Sequence, residues 1–364
     1  MELVRLGKTG LMVTRMGFGA LPIQSVDRDS AVEVVRYAYR KGFNFYDTAR
    51  GYTTSEGDLG RALKGLGSEV IIATKSKYKD MDQLEKSFNT SFDNLQRDYI
   101  DLFQFHIVNY DHELEEILKK GGPLEYLEEQ KKKGRLRHIG ITSHRPAMML
   151  KALPTGKFET VQIPLNYIEK EPLDELIPLA RSLDIGIIAM KPVAGGVYTS
   201  NRAAIRWILQ FPGVVPIPGM CRIEEIDDNL QALDAPITES ELDGLEADKE
   251  ELGTVFCRRC DYCMPCPNDI EASFIVRSGM IFKRVGWDKM EQNHIDAFTK
   301  GLSCTRCGEC ASRCPYELPL TDMVIEESKA MLRKGVEEGL ITEEEFREKL
   351  REAGLDEEGG KNEN

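Results

Sequence analysis

Residues 43–63 read FNFYDTARGYTTSEGDLGRAL. Phe43 to Tyr46 is a short apolar strand, Asp47 breaks it, and a loop holding Tyr52 leads into a helix that restarts near Ser55. Ser55-Glu56-Gly57-Asp58 has the Ser-x-x-Asp form of a helix entry, with Ser55 as the N-cap. An acid at the end of a strand and a phenol in the next loop are placed for chemistry at the strand's C-terminal mouth.

The same alternation of strand and helix runs outward from this stretch. Residues 3–14 (LVRLGKTGLMVT) alternate around two glycines, as a small hairpin would. Eight strands follow: Met16–Ala20, Phe43–Asp47, Val70–Lys75, Ile100–His106, His138–Thr142, Thr160–Pro164, Gly186–Lys191 and Val214–Pro218. Helical patterns separate them, among them Ser30–Lys41 and Asp82–Gln96. Eight such units in roughly 230 residues predict an α/β fold, a closed (β/α)8 TIM barrel near its lower size limit. An open doubly wound sheet is the alternative. It would usually carry a G-x-G-x-x-G turn after the first strand, and MGFGALPI (16–23) does not match.

The net charge of −13 argues against nucleic-acid and anionic-membrane partners. No apolar run approaches the roughly 20 residues a membrane span needs. MELVRLGKTGLMV lacks a signal-peptide core, so the chain reads as cytoplasmic.

Four polar residues fall at or just past the ends of consecutive strands: Asp47, Tyr52, Lys75 and His106. Alternation groups Phe43, Phe45 and Asp47 on one face, Ala73 with Lys75, and Gln104 with His106. With those faces inward, the polar set converges at the top of the barrel, where such folds do their chemistry. The chemistry it supports is carbonyl reduction. A hydride reaching a carbonyl carbon leaves an alkoxide that needs a proton. A Tyr hydroxyl can give it if its pKa falls from ~10, and a nearby ammonium stabilises the phenolate. Asp47 would hold Lys75 charged, and His106 would orient the carbonyl oxygen.

These residues bring a resemblance into view. FYDTARGYTTSEGDLGRAL, IIATKS and DLFQFH resemble the Tyr-, Lys- and His-bearing segments of the aldo-keto reductases. The resemblance covers residues 2–235 and implies a catalytic tetrad of Tyr52, Lys75, Asp47 and His106, with Tyr52 as acid/base. It also implies a nicotinamide nucleotide, NADH or NADPH, and a small carbonyl substrate. Thr142 and Ser143, in GITSH, would hold the carboxamide. Gln162, with Asn166 and Tyr167, would lie beneath the nicotinamide ring. Lys191 and Pro192, in AMKPVAGG, would pass the pyrophosphate. Gly219, Arg222, Glu225 and Asn229 would meet the adenosine ribose.

Three departures stand out. Thr53 takes the place of the usual Gly and His144 that of the usual Asn. Gly219 and Glu225 stand where NADPH-preferring members carry Lys and Arg. A carboxylate repels a 2′-phosphate and accepts from a 2′-hydroxyl, so NADH is expected to serve at least as well as NADPH.

After about residue 247 the character changes. Eight of the nine cysteines fall in two runs, CRRCDYCMPC (257–266) and CTRCGECASRC (304–314). In a reducing compartment such clustering means metal. The second run, Cys304, Cys307, Cys310, Cys314 and then Pro, is the bacterial ferredoxin ligand pattern. Its fourth Cys serves the other cluster in two-cluster proteins. The first run, Cys257, Cys260, Cys263 and Cys266, departs from it by one residue in its last spacing. One or two [4Fe–4S] clusters are expected. If two form, Cys257, Cys260 and Cys263 pair with Cys314, and Cys304, Cys307 and Cys310 with Cys266. Structural zinc on paired C-x2-C motifs is the alternative. Cys221 reads as a packed thiol.

The expected organisation is a barrel over 1–246, a small, mainly α-helical ferredoxin-like iron–sulfur domain over 247–322, and a charged helical tail over 323–364 with a disordered end. The expected function is that of a nicotinamide-dependent oxidoreductase carrying clusters, with a redox protein as a candidate partner. The alternatives are a non-catalytic redox sensor or electron carrier built on the barrel, and a zinc-stabilised reductase.

Overall fold

The computed structural model describes residues 1–77, 80–253, 255–258 and 261–355. The chain divides into two compact units, Met1–Lys249 and Glu250–Asn364.

The first unit begins with an antiparallel hairpin, β1 (Leu3–Arg5) and β2 (Met12–Thr14). Its turn presses against the start of a later strand. A Cβ on Gly7 would lie 2.2 Å from the Gly186 nitrogen, so only glycine fits there. The Asn44 carboxamide accepts from Thr14 N–H at 2.7 Å and donates to the Met12 carbonyl at 2.9 Å. The hairpin therefore covers the N-terminal ends of the strands.

Eight parallel strands follow, each paired with its neighbour in sequence. They are β3 (Phe18–Gly19), β4 (Phe45–Asp47), β5 (Ile71–Ser76), β6 (Ile100–Phe105), β7 (Leu136–Thr142), β8 (Thr160–Pro164), β9 (Gly186–Met190) and β10 (Val214–Pro216). The sheet closes on itself. Gly17 and Gly19 N–H donate to the Pro216 and Pro218 carbonyls, both at 2.9 Å. A Cβ on Gly19 would lie 2.7 Å from the Ile217 oxygen, so this seam also requires glycine.

The helices between the strands are α1 (Arg28–Arg40), α2 (Ser55–Leu63), α3 (Met81–Leu95), α4 (Asp111–Leu118), α5 (Pro123–Lys132), α6 (Pro146–Ala152), α7 (Leu176–Ser182) and α8 (Asn201–Leu209). After β10 come α9 (Ile223–Leu230) and α10 (Glu239–Leu252). Helix α1 shows the local logic. Asp27 caps it by accepting from Asp29 and Ser30 N–H, and Ala31, Val34, Val35 and Ala38 form its buried stripe.

The expected N-cap of α2 is corrected. Ser55 is the first helical residue, and Thr54 precedes it without a capping hydrogen bond. The Ser55 hydroxyl turns inward, donating to the Ala20 carbonyl at 2.9 Å and meeting Thr48 Oγ1 at 2.8 Å. Tying the loop to the ends of two strands has displaced the local cap.

Phe45, Ile71, Ala73, Leu102, Ile188, Val215 and Ile217 fill the barrel interior together with Leu6 and Val13 of the hairpin. Truncating such a residue, as in Leu102→Ala, costs about 2–5 kcal/mol. One step further along the same strand faces, the inward positions turn polar: Asp47, Lys75 and Gln104.

In the second unit the helices are α11 (Ala272–Ile275), α12 (Ser278–Val285), α13 (Gln292–Leu302), α14 (Glu309–Ser312), α15 (Leu320–Glu337) and α16 (Glu343–Glu352). One core runs through it. Ile275, Phe298 and Leu302 pack with Val324, Leu332, Phe346 and Leu350, and Cys257, Cys263 and Cys310 belong to the same cluster. The helices expected as a charged tail thus share a core with the cysteine segments. The terminal segment expected to be disordered, from residue 356 on, lies outside the described residues. Among the described residues, no helix is long and apolar enough to cross a membrane.

Candidate functional site

Asp47 ends β4 and Lys75 lies near the end of β5. Beyond Asp47 the chain keeps following β5, with Thr48 N–H on the Ala73 carbonyl at 2.8 Å and Arg50 N–H on the Lys75 carbonyl at 2.9 Å. It then turns, Tyr52 N–H reaching the Ala49 carbonyl at 3.0 Å. The turn brings the Tyr52 ring back over Lys75, whose Nζ stands 5.3 Å from the ring centroid. His106 follows β6, its N–H on the Ser76 carbonyl at 2.8 Å. Its ring meets Tyr52 edge-on, centroids 6.0 Å apart. The four predicted residues therefore converge at the C-terminal end of the barrel.

Lys75 is wholly buried and Asp47 is 3% exposed. Lys75 Nζ donates to Asp47 Oδ1 at 2.5 Å and to the Thr48 carbonyl at 2.7 Å. Burial lowers the ammonium below its ordinary range, and the Asp47 charge opposes that loss. Burial likewise raises the Asp47 carboxyl, against the pull of Lys75 and of two amides. Those amides are Gln162, whose Nε2 lies 3.3 Å from Oδ1, and Gln104, whose Nε2 lies 3.4 Å from Oδ2. Gln104 also donates to Gln162 Oε1 at 2.8 Å.

Sequence reasoning missed several supports. Glu56, 1% exposed, accepts from Thr74 Oγ1 at 2.7 Å, Arg50 Nη1 at 3.1 Å and Asn94 Nδ2 at 3.1 Å. It locks the Tyr52 loop to the strand that carries Lys75. The available signal was an acid one residue into the helix after that loop. Asn109 Oδ1 accepts from Ser143 Oγ at 2.8 Å and His144 N–H at 3.0 Å, joining the loops after β6 and β7.

The nucleotide-binding candidates stand at the same barrel end in two sets. In the first, Thr142 Oγ1 accepts from Ile107 N–H at 3.0 Å, and Ser143 N–H donates to the Gln162 carbonyl at 3.1 Å. Lys191 follows β9 with a left-handed φ of 56°, and Pro192 comes next. Asn166 Nδ2 reaches the Lys191 carbonyl at 3.3 Å. Tyr167 packs on Trp207, ring centroids 5.5 Å apart, and its hydroxyl donates to Glu246 at 2.8 Å. Burial, with the Lys191 charge behind it, holds the His144 imidazole well below its ordinary range.

The second set lies between β10 and α9. Gly219 bridges to Gly19 at the barrel seam. Glu225 Oε2 accepts from Cys221 N–H at 2.7 Å and Arg222 N–H at 3.1 Å, and its Oε1 accepts from Arg222 Nη2 at 2.9 Å. Asn229 is buried on α9.

Of the predicted thiol ligands, Cys257, Cys263 and Cys310 are buried, Cys266, Cys304 and Cys314 are half-buried, and Cys307 is exposed. Cys260 lies outside the described residues. The two runs face each other. The Arg258 guanidinium lies 3.9 Å from the Phe256 ring centroid and 4.5 Å from that of Tyr316, linking the start of the first run to the end of the second. Arg313 Nη2 donates to the Pro265 carbonyl at 2.9 Å, and Asn268 Nδ2 to Thr305 Oγ1 at 3.1 Å. Burial pushes the Cys310 thiol up, and the charges of Cys304, Cys307 and Cys266 push it further. Cys266 thus stands within electrostatic reach of the second run. Among the described residues, no three His, Cys, Asp or Glu side chains gather as a site for a single metal ion. An all-thiol donor set drawn from two apposed runs fits iron–sulfur ligation.

Residues 15–203 match the model of the aldo/keto reductase family, and residues 256–319 match that of a 4Fe-4S dicluster domain. An L-galactose dehydrogenase of Arabidopsis thaliana is 36% identical over 219 residues, covering 55% of this chain and 68% of the relative. A probable aldo-keto reductase of Glycine max is 27% identical over 304 residues, covering 66% and 86%. Among solved structures, the holo form of an aldo-keto reductase from Bacillus halodurans superposes with a TM-score of 0.59 at 24% identity, over 68% of this chain and 96% of that one. An aldo-keto reductase from Klebsiella pneumoniae in complex with NADPH superposes with a TM-score of 0.58 at 22% identity, over 68% and 94%.

Proposed function

The chain belongs to the aldo/keto reductase family and is an oxidoreductase with an iron–sulfur domain, and from that premise we propose that it interconverts a carbonyl and an alcohol with Tyr52 as the acid/base. A bound nicotinamide nucleotide would supply or accept the hydride. Every other step falls to the chain's own groups. In reduction the Tyr52 hydroxyl protonates the developing alkoxide. The Lys75 ammonium stabilises the phenolate left behind, Asp47 holds that ammonium in place, and His106 donates a hydrogen bond to the carbonyl oxygen. Hydride and proton together balance the carbonyl against the alcohol. One observation carries this reading: a fully buried ammonium, paired to Asp47 at 2.5 Å, stands 5.3 Å from the centre of the Tyr52 ring.

Thr142, Ser143, Gln162, Lys191, Pro192, Gly219, Arg222, Glu225 and Asn229 are the residues we assign to the nucleotide. The Klebsiella structure in complex with NADPH supports a nicotinamide cofactor. We expect NADH to serve at least as well as NADPH. Glu225 engages Arg222, the nearby cation that a 2′-phosphate would need. Oxidation of NADH and of NADPH, followed with a panel of aldehydes and ketones, tests both readings. No carbonyl-dependent oxidation rejects the first, and a clear preference for NADPH rejects the second.

In the second unit we assign two clusters with crossed ligands, Cys257, Cys260 and Cys263 with Cys314, and Cys304, Cys307 and Cys310 with Cys266. The reach of Arg258 to Tyr316 and of Cys266 to Cys310 supports that pairing. A hydride carries two electrons and a cluster passes one at a time. The exposure of Cys307 supports exchange with an external redox protein. Clustered thiols suit a reducing compartment, and we place the protein in the cytoplasm.

A further inference from the structure

Two amides meet inside the barrel across a strand to which neither belongs. Gln104 on β6 donates to Gln162 on β8 at 2.8 Å, reaching past β7. Lys75, Gln104, Gly140 and Thr160 form one row across β5, β6, β7 and β8. Gly140 has no side chain, and a Cβ there would lie 3.0 Å from Gln104 Cγ and 2.1 Å from Thr160 Oγ1. The glycine leaves open the path by which the Gln104 side chain leans toward β8.

Gln104 is wholly buried, and its Nε2 faces two acceptors, Gln162 Oε1 and, at 3.4 Å, Asp47 Oδ2. Gln162 in turn donates to Asp47 Oδ1 at 3.3 Å. The Gln104 carbonyl oxygen has no hydrogen-bond partner among the described residues, and Thr160 Oγ1 has none either. Burying an unpaired oxygen costs its full desolvation, whereas an apolar side chain of the same length buries none. The acceptors also fix which way the amide points, since a flipped carboxamide would set its oxygen against the Asp47 carboxylate. A carboxamide at this position therefore lowers stability while it aims an N–H at Asp47, and a buried group of that kind calls for a role beyond packing.

That role is legible in what the amide touches. Gln104 and Gln162 both favour the charged form of Asp47. Asp47 in turn holds the Lys75 ammonium at 2.5 Å, and that ammonium stands 5.3 Å from the centre of the Tyr52 ring. Gln104 thus reaches the reacting groups through other side chains.

We propose that Gln104 is a positioning residue for carbonyl reduction, donating to Asp47 and to Gln162 so that the Asp47–Lys75 pair and the amide assigned to the nucleotide are held as one unit. The proposal deepens the carbonyl-reductase reading and rests on it for the word reduction; the action of Gln104 on Asp47 does not depend on turnover.

The test uses the full-length, cluster-loaded protein and its Gln104→Met and Gln104→Leu variants, which keep apolar bulk and remove the donor. The pH dependence of kcat for carbonyl reduction is measured at saturating nucleotide. The Asp47 carboxyl carbon is titrated by ¹³C NMR on aspartate-labelled protein, with Asp47→Asn to assign its signal, and urea midpoints are recorded for each protein. Without the donor the charged form of Asp47 is less favoured, so its protonation moves to higher pH. The expected result is that the acid-side midpoint of kcat and the Asp47 titration both rise by about one pH unit, that kcat at its optimum falls about tenfold, and that the urea midpoint stays level or rises. An amide with only a packing role would lower the urea midpoint and leave both titrations where wild type has them. Unchanged titrations overturn the proposal whatever the urea midpoint does, and so does a failure of both variants to fold. If wild type reduces no carbonyl, a raised Asp47 titration in the variants upholds the positioning role and overturns the carbonyl reading instead.

Discussion

Lys75 Nζ lies 2.5 Å from Asp47 Oδ1, and neither side chain is more than 4% exposed. Burying two charges is costly, and removing one partner costs more, because the other stays behind. Asp47→Asn is expected to destabilise the barrel by about 3–5 kcal/mol. Adding Lys75→Met to Asp47→Asn should recover part of that loss. Urea unfolding of both single variants and the double variant measures it. Strict additivity would show that the pair is not coupled.

Glu56 fastens Arg50, Thr74 and Asn94, and its charge also helps to hold the Lys75 ammonium. Glu56→Gln should cost about 1–3 kcal/mol of stability through its broken hydrogen bonds. As a positioning change it should lower kcat more than it raises KM for the nucleotide. Steady-state kinetics separates the two, and a change confined to nucleotide KM would contradict the role.

Glu159 provides a pH-dependent test of the fold. Burial alone would raise its carboxyl. Hydrogen bonds from His138, Lys131 and Ile139 N–H override that and hold it at about 2. Its folded value lies below its unfolded value of ~4.3. Its contribution, about 2–3 kcal/mol, is therefore present above pH ~4.3 and lost as pH falls toward 2. Glu159→Gln should be less stable than wild type at neutral pH, and the gap should close through that window. Denaturation midpoints against pH read it, and a constant gap would contradict it.

The crossed cysteine assignment separates two groups of variants. Cys266→Ser and Cys307→Ser should remove the same cluster, and Cys314→Ser the other, each leaving about half the iron. Iron and sulfide analysis with electron paramagnetic resonance distinguishes the two. Matching spectra for Cys266→Ser and Cys314→Ser, with Cys307→Ser different, would refute the pairing. Cys257, Cys263 and Cys310 pack into the core of the second unit, so stripping the iron should also loosen α13 and α15 to proteolysis.

Where the sequence could be read, the governing interactions were local. Strands that face a packed barrel interior on one side and helices on the other appear as apolar runs, and all eight lie where the runs fall. Alternation within β5 and β6 carried Lys75 and Gln104 to the inward face. The cysteine runs were legible because a cluster's ligands must be closely spaced. What stayed hidden depends on distant partners. Ser55 looks like a cap until the Ala20 carbonyl is seen to take its hydroxyl. Glu56 reaches Thr74 18 residues away, and Gln104 reaches Asp47 across 57.

The central claim is that Tyr52 gives the proton. Tyr52→Phe keeps the ring that stands over Lys75 and beside His106 and removes only the hydroxyl. Its steady-state carbonyl reduction, measured together with nucleotide affinity by fluorescence titration, is the most direct test. We predict that kcat falls by about 10²–10⁴-fold while the nucleotide Kd stays within about twofold. Unchanged kcat in Tyr52→Phe, with the nucleotide bound as in wild type, would contradict the account.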